Sequence, residues 1–124
     1  MLTVRHNLLT FAIVLTLCVI SLGAYVRLSD AGLGCPDWPG CYGKLVGVPD
    51  NHAEISHAET AFPHAPVETG KAWKEMIHRY LAGGLGLVIA ALAVMSIWPR
   101  RHATMVMPHI FLVGLVGVQA ALGM

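Results

Sequence analysis

Charge is scarce in this chain. Only 12% of its 124 residues are Asp, Glu, Lys or Arg, against 56% hydrophobic ones, and the mean hydropathy is +0.64. A soluble domain carries about 25% charged residues, so this composition excludes an ordinary water-soluble globule and points to an integral membrane protein. The formal net charge of +1 lacks the basic excess that phosphate backbones require, and no nucleic-acid partner is expected. No long internal repeat and no low-complexity tract occurs. Cysteine is scarce as well, three in all, so the place of each is informative.

Three stretches free of Asp, Glu, Lys and Arg are long enough to cross a hydrocarbon core, which takes about 20 residues: Asn7 to Val26, Tyr80 to Trp98 and His102 to Met124. They predict an all-α integral membrane fold of three transmembrane helices, about 7–27, 74–98 and 103–124, in a single membrane domain over 1–124. A long outer loop, about 28–73, joins the first two. Short cytoplasmic loops collect Lys and Arg. Arg5 before the first span, and Arg100 with Arg101 between the second and third, therefore place the N-terminus inside and the loop outside. The loop is acidic, with Asp30, Asp37, Asp50, Glu54, Glu59 and Glu68 against Lys44 and Lys71. The first span is longer than the apolar core of a cleaved signal peptide. Leu17 before Cys18 is too bulky for a lipoprotein cleavage site, so Cys18 reads as a lipid-facing or core thiol.

The loop is rich in Gly, Pro, His and Asp, which set turns and resist regular structure. Such a segment needs a staple, and Cys35 with Cys41 could supply one, since Pro36 and Pro39-Gly40 can turn the chain back between them. A closed loop that small gains about 2 kcal/mol on the chain-entropy model. A structural disulfide and a redox-active pair both remain open. His52, His57 and His64 lie near Asp50, Glu54 and Glu59 without a compact metal-ligand spacing, and read as solvated loop histidines.

Glu75 and His78 are three residues apart and share a face near the outer end of the second span. A carboxylate one turn from an imidazole can orient a ligand or carry a proton, and an ionisable residue at the mouth of a span is a functional candidate. Gly83, Gly84 and Gly86 follow, and a backbone that bare admits a macrocycle or a neighbouring helix. Gly114, Gly117 and Ala121 allow close helix contact on the third span. Arg27 and Arg79 stand where guanidinium groups either anchor at the interface or pair with carboxylates such as heme propionates.

The run Gly23-Ala24-Tyr25-Val26-Arg27-Leu28-Ser29-Asp30-Ala31-Gly32-Leu33-Gly34-Cys35-Pro36-Asp37-Trp38-Pro39-Gly40-Cys41-Tyr42-Gly43, followed by Glu75-Met76-Ile77-His78-Arg79-Tyr80-Leu81-Ala82-Gly83, resembles the first outer loop and second helix of the heme A synthase family. The resemblance extends to the Arg100-Arg101 turn and the Gln119-Ala120-Ala121-Leu122-Gly123-Met124 end. It implies an oxidoreductase of the bacterial cytoplasmic membrane that oxidises the C8 methyl of heme O to the formyl of heme A, through hydroxylated intermediates, for cytochrome c oxidase assembly. It implies heme b as cofactor, heme O and heme A as substrate and product, and as partners a heme O-supplying enzyme and oxidase assembly proteins. By position, His78 is implied as an axial heme ligand and so the metal-binding residue. Glu75 is implied as the assisting acid and Cys35 and Cys41 as the redox-capable pair; Arg27 and Arg79, from their place at the outer interface, are the expected cofactor-binding cations.

The family is built of eight spans in two four-helix halves, each giving a histidine pair to a heme, whereas three spans are predicted here. The partner of His78 is expected on a fourth helix, because His109 lies most of a bilayer away in depth at about 1.5 Å per residue. The chain is therefore expected to be the N-terminal portion of such a protein, part of a heme-binding half-bundle and inactive alone. The alternative is a small heme-binding or oxidase-assembly subunit without catalysis, in which the helices form a homo-oligomer through their glycine faces and two copies of His78 share one heme. A membrane thiol protein using Cys35 and Cys41 without heme is a third reading.

Overall fold

The computed structural model describes residues 2–97 and 106–122. It is all-helical, in the order α1 (Leu2–Leu28), α2 (His52–Ala61), α3 (Thr69–Ile97) and α4 (Val106–Leu122), with no strand among the described residues. Two stretches are long and apolar enough to cross a membrane, Thr3–Leu28 in α1 and Thr69–Ser96 in α3, with mean hydropathies of 2.3 and 1.6. Only 11% of the most apolar part of each is buried within the protein. The core helix of a soluble protein would be mostly covered, so these apolar faces suit lipid. The described part of the third expected span, α4, has 17 residues, against the roughly 20 of a typical crossing. The turn carrying Arg100 and Arg101, and Gly123 with Met124, lie outside the described residues.

The chain forms two compact units. One contains the first part of α1, the later part of α3 and α4. Ala12, Leu92, Ala93 and Ser96 are buried there, and the Ser96 hydroxyl donates to the Leu92 carbonyl at 2.8 Å. A Cβ built on Gly83, Gly84, Gly86, Gly114 or Gly117 meets nothing within 4 Å. The close helix contact that these glycines admit is not met there among the described residues. Cys18 is a free, exposed thiol on α1, as a lipid-facing residue would be.

The other unit, Val19–Leu81, is more ordered than a turn-rich composition suggests. Helix α1 stops in a left-handed cap at Asp30, φ 51°. Ala31 N–H bonds the Val26 carbonyl at 2.9 Å and Asp30 N–H that of Arg27 at 3.1 Å, the paired bonds of a Schellman motif. The expected irregular loop contains α2, which starts because Asn51 caps it: the Asn51 side chain accepts from Glu54 N–H at 2.9 Å, and the Glu54 carboxylate reaches back to Asp50 N–H at 3.2 Å. These reciprocal bonds are a close variant of a capping box. A small core of Cys35, Cys41, Tyr42, Val48, Ala58, Ala72 and Met76 joins the segment to α2 and the first turns of α3. The segment thus has both the staple and an apolar centre, with Ala72 and Met76 supplied by α3.

Candidate functional site

Cys35 and Cys41 form a disulfide, S–S 2.07 Å, with their Cα atoms 4.8 Å apart. The chain then reverses at Tyr42-Gly43, where both residues have positive φ, 52° and 79°, as a type I′ turn requires. Cys41 and Lys44 exchange backbone bonds across it at 2.9 and 3.1 Å. The Asp37 carboxylate accepts from the turn's two N–H groups, Tyr42 and Gly43, at 2.5 and 2.8 Å, offsetting the strain of a left-handed tyrosine. The Tyr42 ring meets Phe62 edge-on, centroids 5.7 Å apart, and its hydroxyl donates to the Pro66 carbonyl at 2.9 Å. Burial, then the carboxylates of Glu68 and Asp37, push its phenol above the ordinary value of 10.0, so it serves as a neutral donor.

This hairpin lies along the first turns of α3. Glu75, 6% exposed, accepts the Cys35 N–H on Oε2 at 3.0 Å, and its Oε1 pairs with the Arg79 guanidinium one turn on. Arg79 also donates through Nη1 to the carbonyls of Asp37 and Gly40, at 2.8 and 2.6 Å. Gly47 N–H bonds the Tyr80 hydroxyl at 2.8 Å. Two glycines permit the approach: a Cβ on Gly34 would lie 2.8 Å from the Lys71 backbone carbon, and one on Gly40 would overlap the Lys44 carbonyl oxygen.

His78 faces α1. A Cβ on Gly23 would stand 2.9 Å from its Cε1 and 3.3 Å from its Nε2, so the imidazole rests on bare backbone. Its Nδ1 is buried with no hydrogen-bond partner. The Lys74 ammonium, 5.2 Å from the Tyr25 ring centre, makes a second contact between α1 and α3.

The family model for cytochrome oxidase assembly proteins, COX15-CtaA, matches residues 6–124. The chain belongs to this family. It is 53% identical over 120 residues to a heme A synthase of Shewanella oneidensis, covering 94% of this chain and 34% of that protein. A heme A synthase of Rhizorhabdus wittichii is 28% identical over 129 aligned residues, covering 94% of this chain and 37% of its own length. The chain thus spans about a third of the length of the curated relatives it matches. No solved structure matches.

In this cytochrome oxidase assembly family member, Cys35, Cys41, Glu75 and Arg79 are brought into one contact network. His78 sits on the neighbouring face of the same helix. Arg79, read from sequence as a partner for carboxylates, has one within the protein in Glu75. Arg27 is exposed at the end of α1. Among the described residues no three His, Cys, Asp or Glu side chains gather as a metal site. Clefts of about 340 and 280 Å³ flank Tyr42, and neither is lined by Glu75 or His78. Sequence reading missed Asp37, Tyr80 and Gly23 as parts of the site. The i, i+4 spacing of Glu75 and Arg79 was the signal for their pairing.

Proposed function

We propose that this chain is part of a heme A synthase, an oxidoreductase that converts the C8 methyl of heme O to the formyl of heme A for cytochrome c oxidase. His78 carries the reading: a half-buried imidazole on bare backbone, its Nδ1 without a protein partner, one turn along α3 from a buried carboxylate. An unpartnered imidazole nitrogen is a donor that suits heme iron, so the residue present fits the group. Heme b, when bound, supplies a one-electron redox centre. His78 would hold heme iron, and Arg27 would face its propionates. Glu75 would hold or move a proton beside the reacting group, and Cys35 with Cys41 would be the redox-capable pair above it.

The proposed setting is a bacterial cytoplasmic membrane, with Arg5 inside, the disulfide segment outside, and α1, α3 and α4 as three spans of a half-bundle. A partner histidine lies on another helix. The glycine faces of α3 and α4 would take neighbouring helices, within one polypeptide or between copies. A heme O-supplying enzyme and oxidase assembly proteins are the proposed partners. The test expresses the full-length protein in a host making heme O and separates the extracted hemes. Heme A should appear, and His78→Ala should remove both the bound-heme spectrum and heme A. An unchanged spectrum and unchanged heme A in His78→Ala would overturn the proposal.

A further inference from the structure

We propose that Arg79 is a positioning residue whose guanidinium ties the Cys35–Cys41 loop to the carboxylate of Glu75, so that loop and acid hold one arrangement. The inference deepens the reading above, and rests on it for the role of Glu75, but its primary test needs no heme.

The contacts form a closed circuit. Nη1 of Arg79 donates to the carbonyls of Asp37 and Gly40, both within the ring that the disulfide closes. Nη2 donates to Oε1 of Glu75. The other oxygen of that carboxylate, Oε2, accepts the N–H of Cys35 at 3.0 Å, which returns to the loop. A Glu–Arg pair at i, i+4 on an exposed helix face does little. This pair differs because the Glu75 and Arg79 side chains are only 8% and 17% exposed, and two backbone carbonyls converge on the same cation. A planar fork with several fixed donors can serve three acceptors at once, which a lysine ammonium on a flexible stem does less well.

A consequence follows by linkage. Contacts made only when the loop is closed and seated favour the disulfide over the dithiol, and the coupling is reciprocal. Opening the disulfide should loosen the hold on Glu75, and removing Arg79 should make the disulfide easier to open. An arginine that bound only a ligand carboxylate would leave that equilibrium alone.

The test equilibrates the full-length protein, in a Cys18→Ser background, with mixtures of reduced and oxidised dithiothreitol. The reagent gives up two electrons and two protons and closes to its cyclic disulfide, while Cys35 and Cys41 become two thiols that are alkylated and counted by mass. Arg79→Gln should shift the equilibrium about tenfold toward the dithiol, or about 30 mV for this two-electron couple. Arg79→Lys should give a smaller shift in the same direction. In a Glu75→Gln background the Arg79→Gln shift should shrink, because the two residues act as a unit. Both Arg79 variants within about twofold of the parent, or Arg79 and Glu75 effects that simply add, would overturn the proposal. If Arg79→Gln does not accumulate, Arg79→Lys decides by the same criterion. A shifted equilibrium in a protein that binds no heme would sink the heme A synthase reading and leave the clasp standing. Heme A formation lost in Arg79→Lys with the equilibrium unmoved would do the reverse.

Discussion

Gly23→Ala is the substitution that best separates folding from function. The added Cβ would lie 2.9 Å from Cε1, 3.3 Å from Nε2 and 3.6 Å from Nδ1 of His78. Carbon atoms in comfortable contact stand about 3.5–4.0 Å apart, so the ring must retreat by roughly half an ångström or more. The obstacle is the far end of a side chain, and the imidazole can turn away. An off-rotamer shift of that kind costs about 0.5–1.5 kcal/mol, while replacing glycine by alanine inside a helix returns about 1 kcal/mol. The two nearly cancel, and thermal unfolding of the heme-free protein should move by less than about 1 kcal/mol. On the proposed role of His78, a heme-bound state would need the imidazole where glycine allows it and would carry the strain in full. Heme affinity should therefore fall about three- to tenfold, at 1.4 kcal/mol per decade. Heme titration followed by absorbance, beside thermal unfolding of the heme-free protein, checks both halves. Parental heme affinity in Gly23→Ala would refute the reasoning, because the bare backbone would then have no bearing on the ligand.

Gly34→Ala should behave in the opposite way. Its Cβ would meet the Lys71 carbon at 2.8 Å and the Ala72 nitrogen at 2.9 Å, backbone atoms that cannot turn aside, so unfolding should become easier by about 1–3 kcal/mol, read by thermal denaturation. The start of α2 should respond to acid. The hydrogen bond from Lys44, then that from Asp50 N–H, holds the Glu54 carboxyl below its ordinary value of 4.5. A depressed folded value means that the contribution is present above the unfolded value and lost as pH falls through the lower, folded one. Amide exchange in α2 should accelerate over that acidic window, and Glu54→Gln should flatten the response; the same acid response in Glu54→Gln would refute it.

Much of the scaffold was legible because apolar length is a coarse signal. Nineteen or more residues without a charge cannot be hidden by local turns, and α1 and α3 lie where the uncharged runs predict. The start of α3 was less legible. The helix begins at Thr69, because Ala72 and Met76 find partners in the connecting segment, which no count of apolar residues along one element reveals. Helix α2 escaped notice because His52–Ala61 has little apolar periodicity, although Asn51 and Glu54 carry a capping signature. In the site, the residue types to which chemistry is ascribed were visible: two cysteines, an acid and a histidine. The long-range contacts that aim them were not. Asp37 acts through turn amides five and six residues away, and Arg79 through carbonyls about forty positions upstream. Those are tertiary facts with no local signature.

The placement of Glu75 follows from helix geometry. At about 100° per residue, Ala72, Met76 and Arg79 fall within a narrow arc of α3, and that arc faces the disulfide segment: two of them enter its core and the third holds its carbonyls. His78 falls well outside the arc, on the side where Gly23 clears space for it. Glu75 stands at the border, about 60° from Ala72 on one side and from His78 on the other. It is therefore well placed to bond the loop and still flank the imidazole. A displacement of the Cys35–Cys41 loop would act first on this carboxylate, which accepts the Cys35 N–H and stands on the helix between the loop and the face of His78. Moving the carboxylate one position along α3 would turn it by about 100°, and its place between the two faces would be lost.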